Sequence, residues 1–577
     1  MPKPASTRPA YKMLTCIYLC RTLLFFAPYA DFLMKNFIRI LGMKKKHIIL
    51  YTAAAICTAL CTSCSDYLDK MPDNRATVDT EEKITSLLVS AYPNSHYALI
   101  AEMSSDNTDK NGLSSYTAIN KLQEQAALWE DITEKEMDSP YDLWNDCYKA
   151  IASANLALQA IEEMGTPSSL LPQKGEALMC RAYAHWVLTN IFCLNYNSQS
   201  STTDLGIPYM TESESAVSPH YSRGTVAEDY QRMADDIEEA LPLMNDEHLS
   251  VPKYHFNRKA AYAFAARFYL FYVQKDKSNY DKVIQYAGEV LGNTPAEVLR
   301  DWATIGAKES NNSVRAKAYA DVKDRANLLL YSTFSVWART YGPYKTGSRY
   351  THNVTIASSE SCADTPWGNR EEFYFRIPSY PAIPKVIMAK MAEYMELTDM
   401  TNGIGYLHVM YPALTTDEIL LTRAEAYAMK GKYDKALADL NIWGKAFYES
   451  TSDVTVEDIN TFYGTPVYDS KGKLISGMEY YTSKVATPKK RLHPDFTVAA
   501  GTQENFIHAI LHARRILLLH EGKRWFDIKR YGIEIYRRTV LGSQITITDE
   551  LKTDDPRRAI QLPQSVINAG MEPNPRN

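Results

Sequence analysis

Glu418-Ile419-Leu420-Leu421-Thr422-Arg423-Ala424-Glu425-Ala426-Tyr427-Ala428, then Met429-Lys430-Gly431-Lys432, then Tyr433-Asp434-Lys435-Ala436-Leu437-Ala438-Asp439-Leu440: this stretch decides how the chain is read. The outer runs repeat apolar and small residues at helical spacing, and the four residues between them hold the glycine of a turn. The spacing predicts two antiparallel helices joined by a tight connection.

The same spacing recurs outward from this pair. Tyr141 to Ile161 carries a stripe through Trp144, Cys147, Ile151, Ala154 and Leu158, and Glu176 to Leu194 carries another through Ala177, Cys180, Ala184, Val187 and Ile191. Thr225-Val226-Ala227-Glu228 is a capping box opening a helix through Met233, Ile237 and Leu241. Lys259 to Val273 is an alanine- and aromatic-rich helix, and Tyr280 to Leu291 follows after a short polar turn. Arg267 to Leu291 therefore reads as a looser copy of 418–443, with Tyr280-Asp281-Lys282-Val283 in the place of Tyr433-Asp434-Lys435-Ala436. Small Ala at the crossing and Tyr at the second helix start resemble a tetratricopeptide unit. Such units cannot bury their apolar faces alone, so several must stack. The fold class expected is mostly all-α.

Periodicity fails over roughly 295–410 and again over about 444–500. The first section holds Tyr331, Trp337, Tyr341, Tyr344, Tyr350, Trp367, Phe373, Tyr374, Phe375 and Tyr380 among Gly, Pro, Ser and Asn. The second holds Gly464, Gly472 and Gly477, with a hairpin expected near Ser470-Lys471-Gly472. Long irregular stretches inside a compact protein are usually functional, so the helices read as scaffold and the loops as the working part. The 40 Tyr, against 17 Phe and 8 Trp, supply flat apolar faces with polar tips. A sugar ring presents an apolar C–H face and a rim of hydroxyls, which suits an exposed aromatic plate flanked by polar side chains. Trp337, Tyr341, Tyr344 and Trp367 are the candidate plates, with Arg339, Lys345, Arg349, Asp364, Asn369 and Arg370 close in sequence. Packing of the irregular portion is the competing explanation for each aromatic.

A net charge of −5 gives no electrostatic case for nucleic acid or an anionic membrane surface. Cys147, Cys180, Cys193 and Cys362 are widely spaced and read as small core residues. The N-terminal region is more telling. Met43, Lys44-Lys45-Lys46-His47, an apolar run from Ile48 to Leu60, and Cys61-Thr62-Ser63-Cys64 lay out a secretory signal. The apolar run is too short and too rich in Ala and Thr for a good spanning helix. A cysteine after Ser63 suggests the bacterial lipoprotein variant, lipidated at Cys64, although Cys61 stands where such signals usually carry Leu. An ordinary secretory signal and an uncleaved anchor are the alternatives. A signal some way inside a chain would not act as one, so translation is expected to begin at Met43 or Met34. Residues 1–42 then read as an upstream extension and 43–63 as the signal.

Arg514-Arg515-Ile516-Leu517-Leu518-Leu519-His520-Glu521-Gly522-Lys523-Arg524-Trp525-Phe526-Asp527-Ile528-Lys529-Arg530-Tyr531-Gly532 resembles the signature helix of the SusD/RagB family, surface lipoproteins of Bacteroidetes that partner TonB-dependent transporters. Ala559-Ile560-Gln561-Leu562-Pro563-Gln564-Ser565-Val566-Ile567-Asn568, with Asn574-Pro575, resembles the family's closing segment, its usual Pro-Ile-Pro reduced to Leu562-Pro563. Cys64-Ser65-Asp66-Tyr67-Leu68-Asp69 is similar to the mature start, and Gly206-Ile207-Pro208 with Arg223-Gly224-Thr225-Val226 to the middle. The resemblance spans nearly all of 64–577. It implies a SusD-like fold in which tetratricopeptide-like pairs pack against a loop-rich ligand-binding portion with a few short strands. The N-terminal portion would be 64–295 and the C-terminal portion 296–577, the latter holding 418–443 and 514–532. It further implies a non-enzymatic protein without cofactor, anchored to the outer membrane by lipid on Cys64 and exposed at the surface. The implied partner is a SusC-like TonB-dependent transporter, over which the chain closes as a hinged lid. The implied ligand is an oligosaccharide, with a peptide as the alternative. In this family the early loop often lies beside the ligand, which makes Asp106, Asn107 and Asp109 hydrogen-bonding candidates.

Other constellations have plainer readings. Arg514, Arg515, Lys523, Arg524, Lys529 and Arg530 are interleaved with Glu521 and Asp527, and Glu521–Arg524 and Asp527–Arg530 fall at i, i+3, so an ion-pair network on a half-buried helix is expected rather than base recognition. His508 and His512 stand one turn apart, but Ala509 occupies the place of the Glu that a metalloprotease motif needs. Asn107 to Gly112 imitates half of a calcium loop whose twelfth position is Ala118, so no EF-hand is complete, and a different loop calcium site stays open. No nucleophile elbow, phosphate loop or dinucleotide fingerprint is present. A glycosidase pair of carboxylates would come from distant positions, which leaves an extracytoplasmic glycosidase as a rival reading. An adaptor that binds only proteins is the other.

Overall fold

The computed structural model describes residues 78–213, 220–308, 311–342, 345–380 and 385–576. The expected signal segment, Cys64 and Tyr344 lie outside the described residues. The fold is mostly helical, as the sequence predicts. Long helices run Pro140–Glu163, Leu171–Phe192, Val226–Ala240, Arg258–Phe271, Asn279–Leu291, Thr416–Met429, Tyr433–Phe447 and Thr502–Leu517. The first two pack on each other, as do the fourth with the fifth and the sixth with the seventh. Asn279–Leu291 also packs on Thr416–Met429, so the helical array continues across the irregular section between them.

Local chemistry explains the boundaries of the deciding pair. The Thr415 hydroxyl accepts from the Glu418 backbone N–H, and Asp417 and Glu418 sit at the positive end of the helix. Gly431 takes φ +70° in the connection, the left-handed conformation that favours glycine. Arg423 then clamps the two helices by donating Nε and Nη2 to Asp439 at 2.9 and 2.7 Å. Arg267 makes a similar clamp on Glu418, at 2.7 and 2.5 Å. The capping box at Thr225 forms with both of its bonds.

The 514–532 segment departs from one continuous helix. It divides into the end of Thr502–Leu517 and a separate helix Lys523–Arg530. The break holds His520 at φ +67° and Gly522 at φ +75°. A Cβ on Gly522 would lie 2.7 Å from Ala98 Cα, so the chain turns where a neighbouring backbone leaves no room for a side chain. The charged residues of this segment are also fully buried rather than half-buried. Asp527–Arg530 pairs at i, i+3 as expected, whereas Glu521 pairs with Lys390 and Lys523 and leaves Arg524 to Asp106.

Strands are β1 (Asp109–Asn111), β2 (Asn327–Thr333), β3 (Tyr350–Thr351), β4 (Ser379–Tyr380), β5 (Lys385–Val386), β6 (Glu393–Asp399), β7 (Ile404–Thr415), β8 (Val467–Tyr468), β9 (Leu474–Ser476), β10 (Ile535–Leu541) and β11 (Gln544–Leu551). They form a four-stranded sheet in the order β11-β10-β1-β3, a three-stranded sheet in the order β2-β7-β6, and two small hairpins. The β8–β9 hairpin forms where Ser470-Lys471-Gly472 predicts it, with Gly472 at φ +76°. The β6–β7 pair lies inside the section that reads as irregular, and at twelve residues β7 is longer than the short strands expected. Cys147, Cys180, Cys193 and Cys362 are free and buried. No helix among the described residues is long and apolar enough to cross a membrane.

Candidate ligand-binding cleft

The helix Asn312–Tyr319 is the divider around which the candidate site is built. The Asn311 side chain caps it by accepting from the Ser313 N–H, and Arg315 ties it down by donating to the carbonyls of Arg376 and Gly306, both at 3.0 Å. Ala316 packs into a small apolar cluster with Ile387, Ala389 and Ala392, against which Tyr394 leans. The helix therefore stands beside the root of β6 with a cleft along it on either side.

The larger cleft, about 450 Å³, is lined by Tyr254, Val314, Lys317, Asp321, Tyr394, His408 and Met410 among others. Strand register supplies its aromatic wall. Tyr394 faces His408 and Glu396 faces Tyr406 across β6–β7, and paired residues share a face. The Tyr394 and His408 rings stack at 5.5 Å, and His408 meets Tyr406 at 5.9 Å. Lys317 Nζ stands 5.2 Å from the Tyr394 ring, and Tyr254 is 39% exposed on the rim. Flat rings, an ammonium and the Asp321 carboxylate converge on one open groove, a set that can grip a polar ring compound by stacking and hydrogen bonding.

The smaller cleft, about 230 Å³, is lined by Asn312, Ala316, Trp337, Tyr341, Met391 and Glu393 among others. Arg339 Nε meets Glu393 Oε1 at 2.9 Å, with the Arg339 side chain half-exposed. The loop that carries Trp337 and Tyr341 is pinned by Lys385, whose buried Nζ donates to the carbonyls of Thr340 and Thr346 at 3.0 and 3.1 Å. Burial pulls this ammonium down to about 8.

The residues picked from the sequence meet different fates. Trp337 and Tyr341 line the smaller cleft but are 1% exposed, so they form its floor and not an open plate. The Trp337 indole N–H donates to the His520 carbonyl at 2.8 Å, and Tyr341 stacks on the His520 ring at 4.5 Å. Trp367 is buried elsewhere, against Trp443 and Gly444 of the Tyr433–Phe447 helix, with its indole N–H on Asn441. Asn369 is exposed and caps the short turn Arg370–Glu372.

Asp106, Asn107 and Asp109, expected as hydrogen-bonding candidates beside the ligand, are instead buried and bonded within the ion network. Arg524 and Arg515 hold Asp106, Arg538 holds Asp109 at 3.0 and 2.9 Å, and Asn107 bridges Glu102 and Arg515. Burial alone would raise the Asp106 carboxyl, but the two guanidiniums and Lys490 hold it well below the usual carboxylate range. Glu360, wedged among Lys490, Arg538 and Arg515, is held down to about 2 against the same burial. His508 and His512 are core residues, His508 near Glu504 and His512 bonded through Nδ1 to Tyr463 Oη at 3.0 Å. Among the described residues no cluster of three His, Cys, Asp or Glu is arranged to hold a metal ion.

The reading of the sequence missed Tyr254, Lys317, Asp321, Tyr394 and His408. One signal marks the strands that carry two of them: Asn402-Gly403, a strong turn dipeptide, ends the four-residue connection between β6 and β7, with Gly403 at φ +65°.

Comparison with known proteins places these elements. Residues 66–270 match the family model described as starch-binding, associating with outer membrane, and residues 384–563 match the model described as the SusD family. No curated protein sequence matches the chain. Among solved structures, a SusD superfamily protein from Bacteroides thetaiotaomicron VPI-5482 is similar at 19% identity and a TM-score of 0.54, covering 85% of this chain and 98% of that one. A SusD superfamily protein from Bacteroides vulgatus ATCC 8482 is 18% identical with a TM-score of 0.55, covering 85% and 97%. A protein from the same organism described as sugar-binding is 18% identical with a TM-score of 0.57, covering 87% and 99%.

Proposed function

The chain belongs to the SusD/RagB family, and from that premise we propose that it captures an oligosaccharide at the cell surface and delivers it to an outer-membrane transporter. One observation carries the ligand side of this reading. Strands β6 and β7 supply Tyr394 and His408, the Asn312–Tyr319 helix Lys317, the segment just after it Asp321, and the turn Pro252–Tyr254 its Tyr254, all around one open cleft of about 450 Å³. Apolar ring faces beside charged hydrogen-bonding groups suit the two-sided chemistry of a sugar. Arg339 and Glu393 at the neighbouring cleft extend the polar rim.

The delivery side rests on the family and on the sequence layout before Cys64. Lipid on Cys64 holds the protein in the outer membrane, and two or more acyl chains anchor firmly where one would not. A SusC-like TonB-dependent transporter is the partner, with this chain as its hinged lid. Ligand held between lid and barrel is kept at high local concentration at the pore. The chain performs no chemistry in this scheme and uses no cofactor.

Calorimetric titration of the purified protein against glycan pools and peptide pools tests the ligand. Saturable binding to a glycan pool, weakened by Tyr394→Ala, is the expected result. Binding to peptides alone would replace the glycan with a peptide, and turnover of a bound glycan would make the protein a glycosidase. Labelled palmitate should enter the wild-type chain and not Cys64→Ala; incorporation into both removes the anchor assignment.

A further inference from the structure

Glu360, Glu418 and Glu521 are buried glutamates with Lys or Arg at ion-pair distance. Glu176, on the helix Leu171–Phe192, is buried as deeply. Among the described residues, however, its only ion-pair partners are two histidines, His255 with Nδ1 2.8 Å from Oε1 and His248 with Nε2 3.6 Å from Oε2. The first contact is a hydrogen bond, and Oε1 also accepts from the Tyr92 hydroxyl at 2.7 Å. The second contact is too long for one. Both His248 ring nitrogens and Glu176 Oε2 are buried without a hydrogen-bond partner among the described residues. One half of the cluster is closed, and the other half, His248 facing Oε2, stands open.

Both histidines stand on the segment that leads into the helix Arg258–Phe271, and this segment joins the cluster to the larger cleft. At its start, Met244 Sδ lies 3.0 Å from where a Cβ on Gly175 would stand, against the helix of Glu176. At its end, the Phe256 N–H donates to the Tyr92 hydroxyl at 2.6 Å. Between them Lys253 Nζ donates to the Asp324 carbonyl at 2.6 Å, and Tyr254 lines the cleft.

The groups around Glu176 differ in what a change of pH does to them. Burial pushes the Tyr92 hydroxyl and the Cys180 thiol, one turn along the helix, well above their ordinary values, so both stay neutral. Burial would raise Glu176 as well, but the two imidazoles and Tyr92 hold it below its ordinary value, so it is charged near neutral pH. On the segment itself Asp246 accepts from the Arg258 N–H at 2.6 Å and Glu247 is exposed, while Lys174 pairs with Glu239 at 2.6 Å. Imidazole is the side chain that ordinarily changes charge near neutral pH. A carboxylate carries one charge, so one proton on the histidine pair makes the cluster neutral, and a second leaves excess charge in the interior. We propose that Glu176, His248 and His255 form a one-proton latch: as pH falls, His248 closes onto Oε2 and fastens the 244–256 segment, with Tyr254 held at the rim of the cleft. The latch is read from the cluster alone; its effect on ligand capture rests on the glycan reading of the cleft.

Hydrogen exchange of the full chain without ligand, at pH 6 and pH 8 and corrected for the intrinsic pH dependence of amide exchange, tests the latch. Peptides covering 245–256 should be about threefold or more better protected at pH 6 in the wild type, and the helix Tyr433–Phe447 should show no such difference. His248→Gln keeps a polar side chain that cannot take the proton, and it should abolish the pH dependence. Glu176→Gln should do the same. His248 is only half-buried, so its variant carries the decision if Glu176→Gln does not fold. Protection equal at both pH values in the wild type, a pH effect spread evenly over the chain, or one that survives His248→Gln overturns the latch. Titration with the glycan pool at both pH values reads the consequence at the cleft. His408 lines the cleft in both proteins, so the latch accounts for the difference between them. From pH 8 to pH 6 the wild type should gain about twofold more affinity than His248→Gln, because a held Tyr254 has less freedom to lose on binding. Equal changes in the two proteins overturn the effect on the cleft. Protection that follows pH with no glycan bound sinks the glycan and leaves the latch, and glycan bound with pH-independent protection sinks the latch and leaves the glycan.

Discussion

Arg524 and Asp106 stand 418 residues apart in the chain and form a two-bond ion pair, Nε to Oδ1 and Nη2 to Oδ2, both at 2.9 Å. Around them Arg515, Lys490, Glu360, Arg538 and Asp109 alternate in sign, all buried. Ions taken out of water are tolerable only when each has a partner of opposite charge and its remaining bonding capacity is met. The network thereby fastens the early loop after Ser105 to Glu360 and to the segment from Lys490 to Arg538.

Removing one carboxylate leaves cations buried without compensation. Asp106→Ala is expected to destabilise the fold by about 3–5 kcal/mol, the usual cost of breaking a buried pair from one side. Urea unfolding measures the loss. The fraction that remains folded should bind glycan with a dissociation constant within about twofold of wild type, because Asp106 has its bonds inside the network. A selective loss of affinity at unchanged stability would return Asp106 to the ligand site.

Glu102 makes the same junction sensitive to pH. Its carboxylate accepts from Asn107 Nδ2 at 2.8 Å and from the backbone N–H groups of His520 and Gly522, both at 3.0 Å. Burial nevertheless raises it to about 7, against an ordinary 4.5. The folded pKa exceeds the unfolded one, so its contribution is fully present below about pH 4.5 and is lost as pH rises through about 7. The magnitude is on the order of 3 kcal/mol. Glu102→Gln removes the titration, so the stability advantage of wild type over the variant should shrink between pH 5 and pH 8. An advantage that stays flat or grows over that range contradicts the assignment.

Gly522 tests the break in the signature segment. It has φ +75°, and an added Cβ would meet Ala98 Cα at 2.7 Å and Ala98 O at 2.9 Å. Gly431 has a similar φ of +70° with nothing within 4 Å. Gly431→Ala should therefore cost only the backbone strain, about 1 kcal/mol, whereas Gly522→Ala adds a clash with rigid backbone and should cost about 2–4 kcal/mol. Thermal unfolding of the two variants gives the comparison. Equal losses would mean that the approach of Ala98 is not tight.

These relationships mark where sequence is informative. Helical pairing was legible because Ala424, Ala436 and their apolar neighbours repeat every three or four residues, a signal contained within one element. The Thr225 cap and the turn at Gly472 were legible for the same local reason. An ion-pair network over 514–530 was legible, but its distant partners were not: Arg524 was expected on Glu521, and nothing periodic relates it to Asp106. Trp337 shows the limit for the site: composition tells that an aromatic is present, and only packing against His520 tells that its face is covered. The β6–β7 hairpin was misread as irregular because both of its faces carry apolar or aromatic residues, Met395, Leu397 and Leu407 on one and Tyr394 and Tyr406 on the other, so neither face reads as the buried side of a strand. Asn402-Gly403 was the remaining cue.

Tyr394 and Trp337 offer the sharpest contrast between a ring that can meet a ligand and one that cannot. Tyr394 is half-buried at the wall of the larger cleft, with His408 stacked on it and Lys317 nearby. Trp337 is 1% exposed and has its indole N–H committed to the His520 carbonyl. Tyr394→Ala should weaken glycan binding about tenfold, roughly 1.4 kcal/mol, near the upper end of what one aromatic contact contributes, while changing Tm little. Tyr394→Phe keeps the ring and should recover most of the affinity. Trp337→Phe leaves a void and a buried carbonyl without its donor, so stability should fall by about 1–3 kcal/mol. Affinity of the folded fraction should hold in that variant. Calorimetric titration beside thermal unfolding reads both quantities on each variant. The opposite pattern, affinity lost with Trp337 and kept with Tyr394→Ala, would move the ligand from the larger cleft to the smaller one.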